Sequence, residues 1–254
     1  MSLTRDILKA MQLEFVHITA SKMNVLLYFA IPLIIVSLFA MLGRIEVSWS
    51  KEVAYKTYYD FYAPMIFSTV VYFITLQLTI LRIVGERAPF GTLDRELLAV
   101  SRAGMFIGKL MTNILIAFFQ VFVLFFAGYY VFNVHIAGNP ISFLIVMLLS
   151  ALIGLSIGLC FSVFSKSREQ AIQIVPLIIL VFLLFSGFLI RLETMPPQLQ
   201  MITQYMPLYL SYTGLFEISL KGNLIGNISD IVMKLFVWFL IFAFAGLAKF
   251  MSEK

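Results

Sequence analysis

Residues 141–164 read ISFLIVMLLSALIGLSIGLCFSVF, a run without a single charged side chain. A bilayer core of ~30 Å takes about 20 apolar residues in a helix, so this run can cross it unaided. It does not alternate apolar with polar, which excludes the strand of an outer-membrane barrel. Backbone groups in lipid must be paired within their own segment, which makes the run a helix. Further runs of the same kind lie at Asn24–Leu42, Phe61–Val84, Leu110–Val131, Ala171–Ile190 and Ile228–Ala248. The sequence therefore predicts an all-α polytopic membrane protein of six transmembrane helices, with residues 1–254 forming one domain.

Composition agrees. Hydrophobic residues make up 61% of the chain and charged residues 12%, with a mean hydropathy of +1.00. A soluble domain carries roughly 25% charged residues. A soluble globule, a disordered chain and a nucleic-acid binder are all excluded. Cys160 stands alone, and with only His17 and His135 beside it no zinc-ligand spacing is available; no metal site is expected. With the N-terminus inside, 12 of the 18 lysines and arginines fall on the inner side. Both termini are thus expected in the cytoplasm.

Three of the segments outside the spans could carry function. Residues 1–23 carry Leu3, Ile7, Met11, Phe15 and Ile18 at helical spacing, which predicts an amphipathic interface helix. The inner segment 85–109 reads GERAPFGTLDRELLAVSRAGMFIGK. Pro89 and Gly91 break the helix leaving span two, and Thr92 is placed to cap a short helix running to Val100. Leu93, Leu97 and Leu98 give that helix an apolar stripe suited to a soluble partner, with Asp94 near its positive end. The outer segment 191–227 is rich in Pro and Met. Pro196 and Pro197 can start a helix bearing Leu199, Ile202 and Met206. Pro207 ends it, and a second helix runs to Leu220. This predicts a re-entrant hairpin between spans five and six.

The inner string resembles the signature of the type-2 ATP-binding-cassette transporter permeases, exporters with an acid–Arg pair, Gly-Thr-Leu-acid, Leu-Leu and then Gly-Lys. Glu86, Arg87, Gly91, Thr92, Leu93, Asp94, Leu97, Leu98, Gly108 and Lys109 match it. Ser186, Gly187, Phe188, Met195, Pro196, Pro207, Leu208 and Gly222 match the family's last outer segment. Arg191 and Tyr209 depart from it. The resemblance implies a plasma-membrane permease that pairs with a second copy, identical or paralogous, and docks on a separate ABC ATPase. That partner would hold ATP and Mg, and this chain no cofactor. Glu86, Arg87, Gly91, Thr92, Leu93, Asp94, Arg95, Leu97 and Leu98 would form the cytoplasmic coupling helix and its approach.

Two enzyme-like strings fail on context. Gly104 to Leu110 is one residue short of a P-loop and lacks its hydroxyl. Gly154-Leu155-Ser156-Ile157-Gly158 fits a nucleophile elbow but lies inside an apolar helix, without a histidine or acid at its depth. No catalytic residue is assigned. Ser150, Gly154 and Gly158 instead repeat every four residues, the pattern of close helix packing. Polar residues in spans two and three, Ser68, Tyr72, Thr75, Thr79, Arg82, Asn113 and Gln120, either line a translocation path or bond helix to helix. The functional expectation is an ATP-driven exporter of a drug-like or lipid-like amphiphile. A polysaccharide or glycolipid exporter comes second and sodium extrusion third. An intramembrane enzyme is the reading from another class.

Overall fold

A computed structural model describes residues 3–20, 22–43, 57–87, 100–165, 167–187, 189–190 and 192–252. The predicted coupling residues Gly91, Thr92, Leu93, Asp94, Arg95, Leu97 and Leu98 lie outside the described residues. The described chain is all-helical apart from turns. Its α-helices are α1 (Leu3–Ala20), α2 (Lys22–Leu42), α3 (Tyr58–Arg87), α4 (Arg102–Phe126), α5 (Pro140–Phe164), α6 (Arg168–Leu184), α7 (Pro197–Thr203), α8 (Pro207–Ser219) and α9 (Ser229–Ser252). The last turn of α4 widens into a π-helix over Ala127–Val131. Five helices, α2, α3, α4, α5 and α9, are long and apolar enough to cross a membrane. The chain is a multi-pass membrane protein.

Local chemistry sets the helix ends. Ser101 caps α4 by accepting from the Gly104 amide at 3.3 Å. Asn139 caps α5 from the Ile141 amide at 2.8 Å, with Pro140 in the first turn. Ser167 caps α6 from the Gln170 amide at 3.2 Å. The expected fifth span, Ala171–Ile190, is cut short: α6 has 17 residues and stops at Leu184. At ~1.5 Å per residue it reaches ~25 Å, short of a full bilayer core. The helix gives way just before Gly187, whose φ of 77° is a conformation that ends helices; beside it the Ser186 hydroxyl donates to the Leu183 carbonyl at 2.6 Å. In the outer segment, prolines open both α7 and α8. α7 ends at Thr203, so Met206 falls outside it and becomes the N-cap of α8.

The core is built on α5, which packs against α3 on one side and α9 on another. Two glycines make the first contact possible. A Cβ on Gly154 would lie 2.2 Å from the Tyr72 carbonyl oxygen, and one on Gly158 2.8 Å from that of Leu76. Ser150, on the same stripe, is buried and bonds back to the Val146 carbonyl at 2.9 Å.

The stripe predicted on α1 divides, with Ile18 buried and Ile7 and Met11 half-buried. Leu3 and Phe15 are exposed, at 50% and 55%. The buried stripe is Asp6, Ala10, Glu14 and Ile18. Its contacts advance in step along α4. Asp6 meets Ser101, Ala10 meets Gly108, Glu14 meets Lys109 and Asn113, and Ile18 clusters with Ile116. The two helices therefore run side by side in the same direction, rather than α1 lying across the bundle.

Candidate functional site

Four helices bring charge together at the end of the bundle where α3 finishes and α4 begins. α1 supplies Glu14, α2 Tyr28, α3 Arg82 and Glu86, and α4 Lys109 and Asn113. The i, i+4 spacing in α3 and in α4 puts each pair on one helix face. Arg82 forks: one Nη2 hydrogen goes to Glu14, another to the Asn113 Oδ1 at 2.9 Å, and Nη1 donates to the Tyr28 hydroxyl at 3.3 Å. The Lys109 ammonium bridges the two acids, reaching Glu14 Oε2 at 3.1 Å and Glu86 Oε2 at hydrogen-bond distance. The Asn113 amide donates to the Lys109 carbonyl at 2.7 Å.

The cluster is nearly dry: the Glu14 side chain is 1% exposed and that of Lys109 5%. Isolated charges at such depth cost several kcal/mol each by about the usual reckoning for protein interiors. Two carboxylates and two cations make the group neutral, which is the condition for keeping it there. Burial pushes the Glu14 carboxyl up, but the Arg82 guanidinium and Lys109 ammonium outweigh burial and hold it below the usual carboxylate range. Glu14, His17 and Glu86 also bring three ligand atoms within 4.8 Å of one another. Both carboxylates are already engaged by Arg82 and Lys109, and two cations there oppose a third.

A second tie lies two turns away. The Ser101 amide donates to Asp6 Oδ2 at 3.1 Å, and bonds from the Ser101 hydroxyl and amide hold the Asp6 carboxyl low. The acid thus sits at the positive end of α4. Between the ties the helices touch closely, since a Cβ on Gly108 would lie 2.5 Å from the Ala10 Cβ.

Of the residues expected to couple to a partner, Glu86 joins the charge cluster and Arg87 closes α3. The polar residues of spans two and three divide. Arg82 and Asn113 belong to the cluster. Ser68, Tyr72, Thr75 and Thr79 are buried. Ser68 and Thr75 donate to carbonyls of their own helix, Met65 at 3.0 Å and Val71 at 2.9 Å, and the backbone of Tyr72 and side chains of Thr75 and Thr79 abut Gly154 and Gly158. The Tyr72 ring stands edge-on to Phe73. Gln120 is buried on α4 with neither amide atom hydrogen-bonded among the described residues. Sequence reasoning missed Asp6 and Glu14. The available signal was the i+4 ladder Asp6, Ala10, Glu14, Ile18, in which acids share a stripe with a small and an apolar residue.

Comparison with known proteins bears on the whole arrangement. The profile of the family described as ABC-2 type transporter matches residues 7–220, a stretch that holds the whole cluster. The "ABC transporter G family member 20" of Dictyostelium discoideum is 28% identical over 164 residues, covering 64% of this chain and 22% of that protein. The "Probable multidrug ABC transporter permease YbhR" of Escherichia coli (strain K12) is 27% identical over 149 residues, covering 58% of this chain and 40% of the relative. The aligned part is thus less than half the length of either relative.

Proposed function

The chain belongs to the ABC-2 type transporter family, and from that premise we propose that it is the membrane half of an ATP-driven exporter. It pairs with a second permease chain in the plasma membrane. A separate ABC ATPase docks on the inner loop at 85–109 and hydrolyses the ATP. The cargo is a hydrophobic or amphipathic compound, a reading supported by the multidrug permease among the relatives.

The observation that carries this is the buried quartet of Glu14, Arg82, Glu86 and Lys109. Arg82 and Glu86 end the helix that enters the inner loop, and Lys109 lies two turns into the helix that leaves it. Glu14 ties α1 to both. A push on the loop from an ATPase would reach α1, α3 and α4 as one body, because separating them strands a buried charge. That is the mechanical property a chain needs if its motor sits on another polypeptide.

The test is co-purification. The tagged chain, extracted from its own membrane, should bring down an ATPase. Leu93→Asp with Leu97→Asp should abolish that association while leaving insertion intact. Glu14→Gln should retain the ATPase but lose stimulation of hydrolysis by amphiphiles. An ATPase that binds the doubly substituted loop as well as it binds the parent overturns the docking assignment.

A further inference from the structure

The end of the bundle opposite the charge quartet holds a cavity of about 490 Å³. Its walls come from the first turns of α3, the turn after α6, the short 3₁₀ segment Leu192–Thr194 and one face of α8. On α8 the spacing Tyr209, Tyr212, Phe216 and Glu217 follows the helical repeat, so these side chains share a face. Phe61 stands edge-on to Phe216, with ring centroids 5.8 Å apart at 90°, and Tyr212 meets Phe216 at 5.6 Å. Gly187 makes room for the Tyr209 ring, which would lie 3.1 Å from any Cβ there. The rings thus present a fixed aromatic wall of the size range that takes small ligands.

The charges select the ligand. Lys221 is paired with Glu217 at 2.5 Å and lies 5.8 Å from the Phe216 ring centroid, so the wall already receives an ammonium. The other Glu217 oxygen accepts from the Asn223 amide at 2.6 Å. Glu193 is the remaining described charge in the lining, and it has no ion-pair partner among the described residues. Aromatic faces with a spare carboxylate attract organic cations, because the ring quadrupole and the acid act in the same direction.

We propose that this cavity is a binding site for lipophilic organic cations such as quaternary ammonium and phosphonium compounds. Glu193 supplies the counter-charge, and Tyr209, Tyr212 and Phe216 supply the face. That the bound cation is exported cargo rests on the exporter reading above. Binding itself is measured without an ATPase, so the failure of one is distinguishable from failure of the other.

The experiment uses the purified full chain in detergent and a pair of ions of one shape and opposite charge, tetraphenylphosphonium and tetraphenylborate, in equilibrium dialysis. Saturable binding of the phosphonium is expected. Glu193→Gln and Tyr212→Leu should each weaken it by about three- to tenfold. Glu193→Asp, which keeps the charge, should retain it, and tetraphenylborate should not compete for the site. Phosphonium binding that is unchanged in both Glu193→Gln and Tyr212→Leu overturns the proposal. So does an equal loss in Glu193→Asp and Glu193→Gln, or equal competition by the borate.

Discussion

Replacing Glu14 by Gln is the sharpest probe of the charge quartet. The substitution keeps the shape and one acceptor oxygen and removes one charge. Arg82 and Lys109 are then left to share Glu86, and the group carries a net positive charge in a nearly dry site. Removing one member of a buried pair costs about 3–5 kcal/mol. Because Arg82 is 12% exposed and keeps some water, the lower end, ~3 kcal/mol, is the appropriate figure. The cost falls on the docking of α1, since Glu14 is the quartet's one member on that helix and lifting it rehydrates both cations. At about 1.4 kcal/mol per factor of ten, the docked population drops relative to the undocked by roughly a hundredfold. Amide hydrogen exchange across residues 3–20, read in lipid nanodiscs, reports that ratio. Adding Lys109→Met restores neutrality by leaving Arg82 and Glu86 as an i, i+4 pair, and it should recover protection to within about tenfold of the parent. Two results would refute the reasoning: α1 exchanging in Glu14→Gln as slowly as in the parent, or the double variant exchanging as fast as the single one.

Two further predictions concern packing and pH. Gly154→Leu places side-chain atoms where the Tyr72 carbonyl lies 2.2 Å from the Cβ position, so α3 and α5 must separate. A loss of stability of at least about 1–3 kcal/mol is expected, read as aggregation on size exclusion or faster exchange in both helices. Asp6 and Glu14 are both held below the usual carboxylate range. A group with a depressed native pKa contributes stability that is fully present above its unfolded pKa and is lost as the pH falls through its native value. Exchange of α1, corrected for the intrinsic pH effect, should therefore be constant from neutral pH down to the ordinary carboxylate range and should rise only below it. An increase centred near pH 6 to 7 would implicate a different group.

What the sequence disclosed follows from where its physics is one-sided. Lipid allows few backbone solutions, so the long apolar runs read directly as the helices α2, α3, α4, α5 and α9. Prolines announce α7 and α8 because a missing amide proton is tolerated in the first turn. The early end of α6 was hidden. Residues 185–190, Phe-Ser-Gly-Phe-Leu-Ile, continue the apolar composition, and the helix gives way at a glycine of positive φ that the composition does not announce. Glu14 was hidden for another reason. A charge on an amphipathic helix is ordinarily solvated, and Arg82 near a span end is ordinarily a snorkelling residue. Only the packing of α1 along α4 turns both into partners, and that packing depends on Gly104 and Gly108 giving up their side chains to Asp6 and Ala10.

Helix α3 joins the two ends of the molecule. Phe61 lies in the wall of the aromatic cavity and Arg82 in the quartet. The twenty-one residue steps from one to the other span ~31 Å of helix, close to the thickness of a bilayer core. Along that length α3 is backed by α5 with glycines at the contact, so the two helices cannot slide without a clash of backbone against backbone. A strut held this way transmits displacement instead of absorbing it. The quartet then fixes the strut to α1 and α4 at one end, while at the other the cavity shares its walls between α3, α8 and the turn after α6. On the exporter reading proposed above, movement of the charged end would change the spacing of the aromatic walls. Such a movement would carry no net charge, because the quartet pairs two carboxylates with two cations. The end that carries the quartet is closed and nearly dry, and the opposite end carries the open aromatic cavity.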